Sequence, residues 1–339
     1  MATLGVQQII IQGDETGMRL DRWFKVHFPG LGFGALQKLL RSGQVRVDGS
    51  RAKSQTRLEA GQTVRVPPLP TDAKASAGLT RNTIKNQGDG EVLSQMLLYQ
   101  DKKVYVFNKP AGLAVQGGSG LTRHVDGMLE AWRDKAGQKP RLVHRLDRET
   151  SGVLVVARTR GAAAALTKAF RQRDTRKIYW SLNRGVPSPR QGRISTYLVK
   201  DQLPEGDKMR VARHGERDAD HAVSEYAQVA NAGQSVSWMQ LSPVTGRTHQ
   251  LRVHCDHIGN PIVGDPKYFS TENWEAPGGI QNRLHLHARR IALPHPDVGA
   301  PRLDVTAPLP PHMQQTWNLF GWDEADGDEL IAETFDLPI

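Results

Sequence analysis

The chain has 339 residues, room for one large domain and a small one. Lys and Arg number 45 against 35 Asp and Glu, a formal charge of +10 that points to a polyanionic partner. A single cysteine, Cys255, excludes a disulfide framework within the chain; Met1–Glu15 lacks the basic start of a secretory signal, and no apolar run is long enough to cross a bilayer, so no membrane partner and a cytoplasmic location are expected.

Residues 1–17 read as an N-terminal extension and 18–70 as a small α+β module. Leu20, Trp23, Phe24 and His27 fall at helical spacing, and Phe33, Leu36, Leu39 and Leu40 repeat it after the break at Pro29-Gly30. Gly43 is placed for a left-handed helix cap. Gln44–Val47 alternates like a strand into the turn Asp48-Gly49, and Thr63–Val66 is a second strand. Between Asp14 and Pro70 there are ten basic residues and five acids, so the module is expected to face phosphates. Residues 71–91, poor in apolar side chains, read as a linker.

Residues 92–320 read as the large domain. Val104–Phe107 is a strand ending in the turn Asn108–Gly112, and Val153–Ala157 is an apolar strand. Gly161–Phe170 is an alanine-rich helix, and Ile178–Leu182, Ser235–Leu241 and Leu284–Leu293 are strands. Thr248–Ile258 is expected to be helical. Strand-helix-strand repeats are few, so the expected class is α+β, with a mainly antiparallel or mixed sheet flanked by helices. Residues 321–339 hold seven acids and no base, leaving +17 on the rest, and read as a solvated tail.

One stretch carries the chemistry: His144-Arg145-Leu146-Asp147-Arg148-Glu149-Thr150-Ser151-Gly152, at the mouth of the Val153–Ala157 run. An aspartate among arginines, next to a buried strand, suits nucleophilic or base chemistry better than a solvated surface charge. A second stretch, Thr245-Gly246-Arg247-Thr248-His249-Gln250-Leu251-Arg252-Val253-His254, offers Arg247 just before a helix as a partner that would fix the Asp147 carboxylate. Tyr179, among cations in Arg176–Trp180, offers a face on which a nucleobase can stack. His249, His254, Cys255 and His257 match no zinc spacing, and no metal site is expected. Gly117–Gly120 lacks the following Gly-Lys-Ser/Thr of a phosphate loop.

These motifs, with Asn108–Gly112, Gly264-Asp265-Pro266-Lys267-Tyr268 and Leu284–Ala288 in the same order, resemble the RluA/RluC-type pseudouridine synthases over about Tyr99 to Pro310. Residues 18–70 are similar to the small RNA-binding module named after a small-subunit ribosomal protein. The resemblance implies the pseudouridine synthase fold, a large-subunit ribosomal RNA substrate, no cofactor and a monomer. It implies that Asp147 is the catalytic aspartate, Arg247 its salt-bridge partner and Tyr179 the ring that packs on the uracil and helps move the carbon 5 proton. Arg145 is implied to displace the target base, with Leu251 and Leu286 as apolar neighbours. Gln116 and Ser181 stand where relatives often have His and Ala. In the small module Arg19, Arg22, Lys38, Arg41 and Arg46 are the candidate RNA contacts. The alternatives are a transfer-RNA synthase of the same fold and a non-catalytic RNA-binding or ribosome-assembly factor.

Overall fold

The run Val153–Ala157 becomes the last five residues of a strand, β8 (Ser151–Ala157), in the computed structural model of the chain. The structure describes residues 6–28, 31–69, 88–118, 123–135, 137–172, 174–201, 208–272 and 277–335. The chain divides into two units, residues 1–87 and 88–339.

In the first unit, helices α1 (Leu20–His27) and α2 (Phe33–Arg41) pack Leu20, Trp23, Phe24, Leu36 and Leu40 against a small antiparallel sheet. Its strands are β1 (Gln7–Ile10), β2 (Arg46–Val47), β3 (Ser50–Arg51) and β4 (Thr63–Val66), in the order β1-β4-β2-β3. Asp48 and Gly49 both take positive φ, 47° and 76°, the geometry that lets a two-residue turn follow the twist of its hairpin. Gly43, at φ 69°, ends α2 in the left-handed cap that its position suggested. Within the expected extension 1–17, Gln7–Ile11 belong to the module: Gln7–Ile10 pairs with Val66–Thr63, and Ile11 is buried in the core. Four residues with no turn signal were too short a strand to stand out from the sequence.

In the second unit, helix α3 spans residues 88–95, so the end of the expected linker is helical, while residues 70–87 lie outside the described residues. The large sheet contains β5 (Leu97–Gln100), β6 (Val104–Lys109), β7 (Arg141–Leu142), β8 (Ser151–Ala157), β9 (Arg176–Arg184) and β10 (Gln191–Asp201). It continues with β11 (Lys208–Val211), β12 (Asp220–Ala232), β13 (Val236–Pro243), β14 (Leu286–Leu293) and β15 (Leu303–Thr306), and the same unit holds the helices α4 (Val125–Met128) and α7 (Pro311–Phe320). The order is β11-β10-β12-β13-β9-β14-β8-β6-β5, with β15 on β14 and β7 on β8. Its described pairings are antiparallel except β14 with β8, which gives the expected mixed sheet. All seven residues of β8 are buried. Leu154 and Val156 enter one apolar cluster and Val153, Val155 and Ala157 another, which α5 (Arg160–Arg171) covers with Ala162, Leu166 and Ala169. A strand covered on both faces shows an unbroken apolar run, as this one does.

Where β8 starts, two backbones nearly touch. Gly152 sits at φ 108°, and a Cβ there would overlap the Ala288 backbone on β14. Only glycine fits, and the contact fixes the height of the loop 143–150 that precedes β8.

The described part of the acidic end is not a solvated tail. Helix α8 (Glu324–Phe335) places Glu324 and Asp328 one turn apart, 2.6 and 2.8 Å from the Arg289 guanidinium. That guanidinium is buried on β14 and lies 4.1 Å from the centre of the Trp180 ring. Gly327, between the two acids, lets the helix press on the rings of Trp180 and Trp238. A buried cation requires compensating charge, and these two acids supply it. Among the described residues no helix is long and apolar enough to cross a membrane.

Candidate active site

Asp147 lies in the loop just before β8, half-buried, with its backbone carbonyl accepting from Thr150 N–H at 3.2 Å. Lys109, at the end of β6 and wholly buried, holds that loop. Its ammonium donates to the carbonyls of Pro110, Leu113 and Arg148 at 2.9, 2.8 and 3.0 Å. The turn Asn108–Gly112 is thereby tied to the residue after Asp147. Burial pulls the Lys109 amine down to about 7, while Glu149 and Asp147 pull it back up. Behind the loop, the His144 ring stacks on Phe170 at 4.4 Å, and its Nε2 accepts from Val155 N–H at 2.8 Å. Ser151 Oγ donates to His287 Nδ1 at 2.8 Å, and His287 Nε2–H donates to the Ala307 carbonyl at 3.3 Å. Burial pushes both imidazoles down to about 3, so they are neutral scaffold.

The cation on Asp147 comes from the expected motif but from a different residue. Arg247 does not meet Asp147: it is substantially exposed, donates to the His221 carbonyl at 3.2 Å and pairs with Asp220 at 3.4 Å. Arg252, in the first turn of helix α6 (Gln250–His257), is the partner, with Nη1 donating to Asp147 Oδ2 at 3.3 Å. Its Nε and Nη2 form a fork on Asp265, both at 2.7 Å, with Asp265 itself fully buried. One guanidinium thus bridges two aspartates, with a planar fork on Asp265 that the point charge of a lysine would not reproduce. Asp265 also accepts the Lys267 and Tyr268 N–H groups at 2.8 and 3.2 Å, so the Gly264–Tyr268 motif is the mount for Arg252.

Arg247 lies in the turn before α6, and Gln250 explains that turn. The Gln250 amide oxygen accepts from Thr245 Oγ1 and Arg247 N–H at 2.6 and 3.0 Å, and its NH₂ donates to Val223 O and Ser224 Oγ at 2.8 and 2.9 Å. The turn is bound to β12, which carries Arg247 toward Asp220. His254 is held by Ser224 and Thr196 hydroxyls at 2.9 and 3.0 Å. Among the described residues no group of three or more His, Cys, Asp or Glu is placed to hold a metal.

Tyr179, Leu251 and Leu286 do converge. Tyr179 packs against the cluster containing Leu251 and Leu286 and also against the one containing Leu146, the residue before Asp147. Burial, and secondarily the Asp147 charge, push its hydroxyl above the ordinary phenol range. It therefore stays protonated at neutral pH and presents its ring beside Asp147. Arg145 is exposed and its side chain has no hydrogen bond or ion pair among the described residues, so it is available to a ligand. In the small unit, Arg19 is bound by Asp21 at 2.6 Å, and Arg46 donates to the Gly43 and Gly49 carbonyls at 3.1 and 3.0 Å. Arg22, Lys38 and Arg41 are exposed with no side-chain partner among the described residues.

A carboxylate anchored by a bridging arginine, beside a protonated tyrosine and an apolar wall, can act on a sugar while a flat base packs alongside. The family model described as RNA pseudouridylate synthase matches residues 103–257, from β6 through Asp147 to the end of α6. "Ribosomal large subunit pseudouridine synthase C" of Escherichia coli (strain K12) is 36% identical over 303 residues, 88% of this chain and 91% of that one. The chain belongs to the RNA pseudouridylate synthase family. The protein of the same name from Pasteurella multocida (strain Pm70) is 36% identical over 91% of this chain and 92% of its own. The solved structure "Human RNA Pseudouridylate Synthase Domain Containing 4" is 29% identical, with a TM-score of 0.58, covering 71% of this chain and 98% of that one. As a pseudouridylate synthase, the chain has its candidate residues Asp147, Tyr179 and Arg252 all inside the matched segment.

Proposed function

We propose that the chain isomerises uridines of large-subunit ribosomal RNA to pseudouridine, with Asp147 acting on the ribose. The observation that carries the reading is the bridge from Arg252 to Asp147, within a chain that matches the large-subunit enzymes over nine-tenths of their length. The glycosidic bond breaks, the uracil turns, and carbon 5 joins the ribose. The proton leaves carbon 5 and N1 ends with one, so the reaction is balanced without any outside reactant. A fixed carboxylate serves either route at the ribose, addition to carbon 1′ or removal of a ribose proton, because both need an anionic oxygen with a free lone pair. Tyr179, Leu251 and Leu286 supply the wall for the uracil, and Arg145 fills the space left when the base leaves its stack, a move costing a few kcal/mol. Arg247, held by Asp220, stabilises the turn before α6. The chain acts as a monomer in the cytoplasm.

Mapping pseudouridines in ribosomal and transfer RNA from cells lacking the protein tests this. Loss of specific large-subunit positions, restored by the wild-type chain, is expected. An unchanged ribosomal map with transfer-RNA sites missing would move the activity to transfer RNA.

The small unit is read as a ribosomal-protein-type RNA-binding module contacting phosphates through Arg22, Lys38 and Arg41. Changing all three to glutamine is expected to flatten the dependence of RNA affinity on log salt by about two units, at roughly 0.7 per phosphate on a single strand. Arg46→Gln is the control, because that side chain holds the turn carbonyls of Gly43 and Gly49. It should lower the melting temperature and leave the slope alone.

A further inference from the structure

His249 caps α6 in the left-handed region, at φ 52° and ψ 18°. A residue with a Cβ is uncommon there and persists only where its surroundings hold it. Its two ring nitrogens have different neighbours. Nδ1 is 2.9 Å from the Tyr268 hydroxyl, and Nε2 is 3.8 Å from Asp147 Oδ2. The Tyr268 oxygen also accepts the Met209 N–H of β11 at 2.8 Å. Burial pulls the imidazole below its usual range, Asp147 and Asp265 opposing and Arg252 and Lys267 adding to the shift, so at neutral pH the ring carries one N–H.

The geometry selects which nitrogen holds that hydrogen. If it were Nδ1, the Nε2 lone pair would face the Asp147 carboxylate and the Tyr268 hydroxyl hydrogen would have lost its acceptor. If it is Nε2, the Tyr268 O–H donates to Nδ1 and the Nε2–H points at Oδ2. All dipoles then run one way, from the Met209 amide through Tyr268 and His249 to the aspartate, and each link polarises the next.

We propose that His249 is a positioning residue for the isomerisation: with Arg252 it anchors Oδ2 of Asp147 through an Nε2–H donated along this chain, leaving Oδ1 to meet the ribose. Oδ1 has no hydrogen-bond partner among the described residues, whereas both His249 and Arg252 address Oδ2. The 3.8 Å gap is too long for a hydrogen bond and closes when the uridine seats, as such contacts tighten in the substrate complex. The assignment rests on the synthase reading above but not on which RNA is the substrate.

Two measurements test it. Nitrogen-15 spectra of the histidine rings in the full chain are expected to show His249 protonated at Nε2; protonation at Nδ1 overturns the proposal without reference to activity. In single-turnover assays on a ribosomal RNA fragment, His249→Leu is expected to slow pseudouridine formation by about 10- to 100-fold, the loss of one hydrogen bond to a charged group, with RNA affinity unchanged. His249→Gln, which keeps an N–H near the Nε2 position and the same backbone penalty, is expected to recover most of the rate. A wild-type rate in His249→Leu, or equal rates in Gln and Leu variants of equal melting temperature, overturns it. Wild-type protein that forms no pseudouridine in any RNA would instead refute the synthase reading, while the ring spectra would still report the tautomer.

Discussion

Asp147→Ala is expected to abolish pseudouridine formation, a loss on the order of 10⁴-fold or more, as removal of a reacting group brings in other enzymes. RNA affinity should stay within a few-fold of wild type, because Asp147 is one half-buried carboxylate in a basic protein and is not among the proposed phosphate contacts. Asp147→Asn is the sharper variant. Its amide keeps the size of the side chain and an oxygen for Arg252, but supplies no anionic oxygen to the ribose, so it should bind RNA and fail to turn over. Quantifying pseudouridine in the RNA by mass spectrometry, beside a filter-binding isotherm, separates the two properties. Turnover by either variant near the wild-type rate would remove Asp147 from the chemistry.

The second large effect is expected at Arg252. Its side chain is 4% exposed and its partner Asp265 is 0% exposed. Arg252→Gln strands the Asp265 charge in the interior, a cost of about 3–5 kcal/mol. The variant should melt far below wild type and be inactive. Adding Asp265→Asn removes the stranded charge while keeping an oxygen for the Lys267 and Tyr268 N–H groups. The double variant should therefore regain much of the stability. It should not regain activity, because Asp147 still lacks its cation. Thermal melts with the turnover assay read the two effects apart, and an active double variant would show that the bridge serves only the fold.

Several of these features were legible in the sequence for stated physical reasons. β8 announced itself because a strand covered on both faces is apolar throughout, and Asp147 stood out as an acid among arginines at its mouth. The helical spacing of Leu20, Trp23 and Phe24 similarly identified α1. The arginine partner was found to the motif but not to the residue. Thr245–His254 holds two arginines, and the difference depends on which face of α6 looks toward β8. His249 in the left-handed region and Gln250 clamped to β12 decide that, and neither has a local sequence signal. β12 was missed because much of its length is only partly buried, so Asp220–Ala232 carries too many polar residues to read as a strand. The acidic end was misread because Glu324 and Asp328 look solvated until Arg289, some 35 residues earlier, is known to be buried beneath them.

The amine of Lys109 has a consequence for recruitment. All three of its hydrogens point at main-chain carbonyls under the catalytic loop, so none is presented to an approaching strand. Arg252 and Arg289 are likewise buried and paired with acids. Long-range capture depends on the charges that water and counterions can reach. Architecture and capture draw on the same residue types here, and the pull on a distant polyanion comes from a narrower set of side chains than the tally of lysines and arginines suggests.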